Sequence, residues 1–459
     1  MNIDEKSKME AFFVNLIYGV KDKPTFGKTL VFAFQQVLAI LAATIAVPTI
    51  IGNGMSQSAA LFGAGIGTLV YLLFTKFKSP VFLGSSFAFL GSMFAAFAGG
   101  VSMSLGYAGM IMGATFAGLV YVVLAIIVKI AGVKWIGKLM PPVVIGPTVA
   151  IIGLSLAGNA VGDVLKFATY DGVNKVYVMG TQSWIGLICA LVTVLVVILS
   201  STYGKKTIKL IPFILGILAG YLVASIFTVI GTNTGNDALK IINFPTWTGL
   251  FATPDFTFLT ASNGISEITP GYIATIAVAY IPVAFVVFAE HIADHKNLSS
   301  IIGSDLLEEP GLHRTLLGDG IGSIAGAFFG GCPNTTYGES VGCVAISGNA
   351  SVVTILVTAI MAIVASFLTP FVSFLASIPN CVMGGVCITL YGFIAVSGLK
   401  MLQQVNLNEN KNLFVVATIL ITGIGGMALQ IGQIKITAIA CALILGILVN
   451  LMVSGKKAQ

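Results

Sequence analysis

Four acidic side chains stand where an apolar chain offers them nothing: Glu290, Asp294, Asp319 and Glu339 lie within, or at the immediate ends of, long hydrophobic runs. A charge at the centre of a membrane helix costs about 2.5 to 3.5 kcal/mol on insertion scales, so such residues mark function by default. No Lys or Arg sits at the centre of a hydrophobic run to neutralise them. A carboxylate so placed relieves its desolvation by holding a proton, bonding a ligand or binding a cation. Glu290 and Asp294 are four residues apart and share a helix face, and His291 and His295 repeat the spacing on the neighbouring flank. A Glu, Asp and imidazole set at the end of a span can relay protons, which makes Glu290, Asp294 and His295 the candidate coupling groups. Read individually, the two histidines are ordinary membrane-interface residues. Asp319, within Leu317-Gly318-Asp319-Gly320, reads as a cytoplasmic helix-end residue, and Glu308 and Glu309 as a solvated turn.

A second kind of chemistry comes from interrupted segments. Gly331, Pro333 and Gly338 break the helix that leads to Glu339, and Leu83-Gly84-Ser85-Ser86-Phe87 breaks an earlier one. Such breaks leave backbone N–H and C=O groups in need of partners, and a planar polar solute can be that partner. Phe87 and Tyr337 then lie where the two breaks face each other. Two aromatic rings against the faces of a flat ligand, with a carboxylate at its edge accepting from ring N–H groups, suit a nucleobase.

The elements that must position these groups are membrane spans. Of 459 residues 57% are hydrophobic and only 9% charged, with a mean hydropathy of +1.00, against roughly 25% charged in a soluble domain. Apolar runs long enough to cross a bilayer recur along the chain. They are placed at 29–51, 59–75, 81–98, 106–128, 141–158, 184–202, 210–230, 272–293, 315–331, 337–347, 351–370, 380–398, 412–428 and 436–453, giving an all-α polytopic membrane protein of fourteen spans. With the N-terminus inside, only Lys166, Lys175, Lys240 and Lys435 of the 23 basic residues fall outside. The positive-inside rule therefore places both termini in the cytoplasm, and the net charge of +6 follows topology instead of pointing to nucleic acid. Residues 1–28 form a cytoplasmic tail without a cleavable signal, 29–230 a first repeat, 231–271 an extracellular crossover, 272–453 a second repeat and 454–459 a cytoplasmic tail. Pro141 with Gly146 in the fifth span is echoed by Pro379 with Gly384 in the twelfth, and the broken third span by the broken tenth. Seven spans per half make the second half inverted, and paired broken spans point to a binding site at mid-membrane. The six cysteines contain no C-x-x-C pair and read as small core residues, so no metal site is expected.

Four stretches carry a resemblance: Phe285 to His291 with its Ala-Glu-His-Ile core, Glu308-Glu309-Pro310-Gly311-Leu312-His313-Arg314, Asn334-Thr335-Thr336-Tyr337-Gly338-Glu339, and Leu83-Gly84-Ser85-Ser86-Phe87-Ala88-Phe89. From Gln35 onward the chain resembles the nucleobase:cation symporter 2 (nucleobase-ascorbate transporter) family, particularly its uracil-transporting bacterial members. The resemblance implies a core domain of spans 1–4 and 8–11 and a gate domain of spans 5–7 and 12–14. It implies uracil between the broken third and tenth spans, with Glu290 and Glu339 at its polar edge. Phe87, Tyr337 and Tyr391 then enclose the ring, and the backbone at Phe87 and Gly338 reaches its carbonyls. Two positions depart from the pattern. Asp294 stands where uracil-transporting members often have His, and Ser340-Val341-Gly342 leading to Ser347-Gly348 replaces the usual end of the tenth-span signature.

The reading is a plasma-membrane secondary transporter, not an enzyme, that imports uracil with a proton. Partners are a nucleobase and the bilayer, with a homodimer possible and no cofactor beyond the co-transported proton. Asp294 keeps open a purine permease of the same family for xanthine or guanine, whereas Tyr337-Gly338-Glu339 opposes it. An anion exchanger or channel of similar architecture is disfavoured because the site is acidic.

Overall fold

The computed structural model describes residues 16–132, 141–205, 208–209, 211–403, 405–431 and 434–454. Most of the expected N-terminal tail, the last five residues, and Lys134, Lys138 and Lys206 lie outside the described residues.

Local rules set the helix boundaries. The first half contains α1 (Phe26–Ile51), α2 (Gln57–Phe74), α3 (Leu90–Ala96), α4 (Met103–Ala131), α5 (Pro142–Ser155), α6 (Ala157–Val164), α7 (Thr181–Tyr203) and α8 (Pro212–Thr234). After α9 (Thr257–Ala261) come α10 (Pro270–Ile302), α11 (Leu312–Gly330), α12 (Gly338–Ser347), α13 (Val352–Phe367), α14 (Thr369–Ser377), α15 (Asn380–Leu402), α16 (Asn410–Ile424) and α17 (Ala438–Ser454). Proline opens α5, α8 and α10, where its missing N–H is an orphan in any case. The side chains of Ser56, Ser102 and Thr269 accept from the first turns of α2, α4 and α10. Gly303, Gly331 and Gly348 close α10, α11 and α12 in the left-handed conformation.

Among the described residues, eight helical stretches are long and apolar enough to cross a membrane: α1, α2, α4, the continuous stretch α5 to α6, α7, α8, α10 and α15. The shorter apolar helices are Phe87–Ala96, α13, α16 and the stretch Ala438–Val453. Each of the fourteen runs read from the sequence contains a helix, but the fifth continues to Val164, the third is only about half helical, and the tenth is a short helix whose break lies in the strand just before it. Two hairpins between spans were not expected from the sequence, β2 with β3 (Thr169–Asp171, Val176–Val178) and β5 with β6 (Leu429–Ile431, Ile434–Ile436). The expected crossover carries α9 and short 3-10 turns at Asp237–Leu239 and Ser262–Glu267.

Packing divides the helices into two groups. In one, α11 lies along α2 and α4, α13 along α1 and α2, and α10 along α4. In the other, α15 lies along α5, α6 and α7, α8 along α7, and α16 along α5 and α17. Links between the groups are sparser and run mainly from α10 to β6 and α17, and from α8 to α1. Small residues permit the closest approaches. A Cβ on Gly63 of α2 would sit 2.5 Å from the Gly326 carbonyl oxygen of α11, and one on Gly398 of α15 would sit 2.3 Å from the Ala150 nitrogen of α5.

The breaks in the third and tenth runs are built against each other. Strands β1 (Leu83–Ser85) and β4 (Asn334–Thr336) pair antiparallel, with Leu83 opposite Thr336 and Ser85 opposite Asn334. The ladder is extended by Ser86 N–H to the Pro333 carbonyl at 2.9 Å, so the backbone groups released by each break are satisfied by the other. Thr68 of α2 seals one side, accepting from Leu83 N–H at 2.9 Å and donating to the Ala64 carbonyl. Asn334 seals the other by donating to the Gly63 carbonyl at 2.9 Å.

Candidate functional site

Each strand of this small sheet leads directly into a helix. After β1 a 3-10 turn (Phe87–Phe89) starts α3, and after β4 the helix α12 starts at Gly338. An α-helix leaves its first N–H groups without intrahelical acceptors, so the α12 start offers donors where Gly338 is exposed. A cavity of about 380 Å³ opens there, between the two packing groups. Phe87, Glu290, Asp294, Gly338 and Glu339 line it from one group, and Val149, Pro212, Phe213, Leu390, Phe393 and Ile394 from the other. The wall is thus largely apolar, its polar side chains being a cluster of acids on one side, Ser397 of α15 and Lys209 in the segment before α8.

Three carboxylates from two elements converge here. Glu290 and Asp294 come from successive turns of α10, and Glu339 from the first turn of α12. Asp294 is fixed by a hydrogen bond from Thr336 Oγ1 of β4 to its Oδ2 at 2.8 Å. Among the described residues, none of the three is in an ion pair. Behind Glu339, Gln36 of α1 donates to Ser340 Oγ at 2.5 Å, and Ser340 Oγ accepts from Phe82 N–H at 3.0 Å. The start of α12 is therefore tied to α1 and to the residue preceding β1.

The other candidates from the sequence fall behind the wall. Tyr337 is 4% exposed and does not line the cavity: its hydroxyl donates to the Ser85 carbonyl at 2.8 Å and its ring covers Gly84, where a Cβ would come within 2.3 Å of Cζ. Tyr391 is 3% exposed and backs the lining, its ring edge-on to Phe87 with centroids 6.0 Å apart. His295 also stands off the cavity. Its Nδ1 lies 2.8 Å from the His291 carbonyl, which can only accept, so Nδ1 carries the hydrogen. Its Nε2 lies 2.6 Å from the Tyr71 hydroxyl, which lies 2.7 Å from Ser79 Oγ.

Two readings are corrected. His291 and His295 are not interface residues but fully buried, at 0% and 1% exposure, with stacked rings 4.0 Å apart. Asp319 is not a solvated helix end. It is fully buried, with Oδ2 2.6 Å from His291 Nδ1. The only sequence signal for that bond is Asp319 lying within an apolar run, and spacing along the chain does not reveal a pair 28 residues apart. Lys209 is a lining residue that the sequence did not single out, since nothing in its local sequence places it on the cavity wall. By contrast Glu309 does lie in solvent, where Lys78 Nζ at 2.5 Å holds its carboxyl below the usual carboxylate range. All six cysteines are buried, and among the described residues no group of His, Cys, Asp or Glu forms a metal-binding cluster.

The Permease family matches residues 27–432, nearly the whole of the described chain. This chain belongs to that family, the nucleobase:cation symporter 2 family. The permease is similar over almost its full length to the uracil permease of Bacillus caldolyticus, at 38% identity covering 96% of this chain and 95% of that one. It is also similar to the uracil permease of Bacillus subtilis (strain 168), at 36% identity covering 97% of each, and to that of Escherichia coli (strain K12), at 34% covering 95% and 93%. Its fold is that of solved membrane transporters. The transmembrane domain of the cyanobacterial bicarbonate transporter BicA matches with a TM-score of 0.58 at 16% identity, covering 94% of the permease and 99% of that chain. A murine Solute Carrier 26 family anion transporter in the inward-facing state matches with a TM-score of 0.64 at 12% identity, covering 95% and 69%. The permease is a multi-pass membrane protein.

Proposed function

We propose that this permease imports uracil together with a proton, by alternating access, and that the cavity between the two packing groups is the substrate site. The observation that carries the reading is the convergence of Glu290, Glu339 and Phe87 on one cavity, at the point where two broken segments pair. Uracil is flat, with N–H donors on one edge and carbonyl acceptors beside them. Carboxylates at Glu290 and Glu339 accept from the N–H groups, N–H donors at the α12 start meet a carbonyl, and Phe87, backed by Tyr391, covers a ring face. Similarity over almost the full length to uracil permeases supports uracil among the nucleobases.

Coupling follows from the same acids. Three carboxylates in a largely apolar wall, none of them in an ion pair among the described residues, cannot all be ionised at low cost, so one proton bound with the substrate lowers the repulsion, and its loss favours release. Glu290 is the coupling group and Glu339 the ligand-orienting one, with Asp294 as a third acid held by Thr336. His295, off the cavity, supports α10 from behind.

The two packing groups support a division into a core of spans 1–4 and 8–11 and a gate of spans 5–7 and 12–14. The antiparallel pairing of β1 with β4 supports two inverted seven-span repeats, and the distribution of basic residues supports fourteen spans with both termini in the cytoplasm. Rocking of one group against the other then exposes the cavity to each side in turn. A competition assay tests the substrate: uptake of labelled uracil into proteoliposomes is challenged with unlabelled uracil, thymine, xanthine, guanine and hypoxanthine. Only the pyrimidines should compete strongly. Equal competition by xanthine or guanine contradicts the reading.

A further inference from the structure

Next to Glu290 in the chain, but facing away from the cavity, is a buried polar unit with no part in the mechanism above. His291 Nε2 lies 2.9 Å from Thr315 Oγ1, and His291 Nδ1 lies 2.6 Å from Asp319 Oδ2. Thr315 Oγ1 donates its single proton to the Leu312 carbonyl at 3.0 Å, so towards His291 it must accept, and Nε2 carries a hydrogen. That leaves one hydrogen to be shared between Nδ1 and Asp319. Whether it rests on the carboxyl or on the imidazole, the pair is neutral as a whole. Losing it would leave a carboxylate facing a bare nitrogen in a fully buried setting, with Asp319 Oδ1 making no hydrogen bond among the described residues. Among the described residues, the titratable groups around the pair are Glu290, Asp294 and His295 on α10, Tyr121 on α4 and Tyr71 on α2. None is a cation that could stabilise a deprotonated pair.

The placement of the unit matters as much as its charge. Helix α11 packs along α2 and α4 through small residues but touches α10 little. The His291–Asp319 and His291–Thr315 bonds key α10 to that rigid unit, one residue from Glu290. We infer that His291 and Asp319 are a positioning pair, which as a one-proton neutral unit sets the rotation of α10 and so aims Glu290 into the cavity.

The inference rests on the uracil reading above, and its test separates the two. The full-length permease is purified and reconstituted as the parent, Asp319→Asn and Asp319→Ala. The amide of Asn donates to Nδ1 as a protonated carboxyl does but cannot ionise. Asp319→Asn should therefore keep the KM for uracil within about threefold and superimpose on the parent's pH profile, whereas Asp319→Ala should raise KM at least tenfold. Thr315→Val, which frees only Nε2, should raise it about threefold, and serves if Asp319→Ala does not fold. A substrate-independent measurement accompanies uptake: the rate at which a hydrophobic carbodiimide modifies Glu290, read by peptide mass. That rate should change at least fivefold in Asp319→Ala, or in Thr315→Val if it replaces that variant, and not in Asp319→Asn. A parent that fails to take up uracil contradicts the functional reading, and the carbodiimide rates alone then decide the pair. The pair is overturned by a parental KM and carbodiimide rate in Asp319→Ala and Thr315→Val. It is equally overturned by a folded Asp319→Asn protein that loses uptake or moves the pH midpoint by a unit or more.

Discussion

Thr336 Oγ1 donates to Asp294 Oδ2 at 2.8 Å, joining the strand of one broken segment to the helix that carries two of the three cavity acids. The bond fixes the distance between the α12 start and α10, and therefore between Glu339 and Glu290. Replacing Thr336 with Val keeps the shape and deletes the donor. A buried acceptor left unpaired costs about 1 to 3 kcal/mol. Thermal unfolding of detergent-purified Thr336→Val should show a lowered midpoint, together with weaker uracil binding. An unchanged midpoint and affinity would mean that Asp294 finds another donor.

The contact between α2 and α11 depends on missing side chains. Gly63→Ala puts a methyl 2.5 Å from the Gly326 carbonyl oxygen, whereas a Cβ on Gly392 of α15 meets nothing within 4 Å. Overpacking costs typically about 1 to 3 kcal/mol. Gly63→Ala should lower the thermal midpoint while Gly392→Ala leaves it in place. Equal midpoints would show that α2 and α11 can separate without cost.

Much of the architecture was legible because the bilayer imposes it. Runs such as 106–128 and 184–202 must be helical, since no other open-chain structure satisfies the backbone in lipid. The breaks at Gly84 and Pro333 were legible for the same reason, as interruptions that demand partners. What could not be read was which partners they find. The pairing of Leu83 with Thr336 joins positions more than 250 residues apart, and it turns Tyr337 onto the Ser85 carbonyl and away from the cavity. His291, His295 and Asp319 misled for a related reason. A polar residue at the end of an apolar run looks solvated until a distant helix supplies its hydrogen bonds, as α11 and α2 do here. The hairpins at Thr169 and Leu429 were missed because they fall between the apolar runs, where hydropathy marks a connection and assigns it no structure.

Phe87 and Tyr391 have different exposure and should differ in consequence. Phe87 lines the cavity, and Tyr391 supports its ring edge-on. Phe87→Ala should weaken equilibrium uracil binding more than Tyr391→Ala, the latter acting through Phe87 by about 0.5 to 1.5 kcal/mol. Both proteins should remain folded by gel filtration. Parental affinity in both would assign the two rings to packing alone.

Topology has its own test. Single cysteines in a cysteine-free background should be labelled from the cytoplasmic side at positions Lys78 and Lys400, and from outside at Lys175 and Lys240. Removing the six native cysteines is feasible because each is a small buried side chain. Labelling of the Lys78 position from outside would invert the first repeat and contradict the fourteen-span arrangement.

Recognition and coupling should separate at the two glutamates. Glu339→Gln replaces one acceptor with a misplaced donor, so uracil affinity should fall by more than the roughly 1 kcal/mol of a simple lost hydrogen bond. Normal binding by this variant would move the ligand away from α12.

The central claim, a proton carried by Glu290 alongside uracil, is tested most directly by the accumulation of labelled uracil in proteoliposomes under an imposed pH gradient, comparing the parent with Glu290→Gln. Gln keeps nearly the volume of Glu and one carbonyl acceptor but cannot gain or lose a proton. The parent should concentrate uracil only while the gradient lasts, and Glu290→Gln should never exceed equilibration even where it still binds. Accumulation by Glu290→Gln with the parent's pH dependence would contradict the account and pass the coupling role to Asp294.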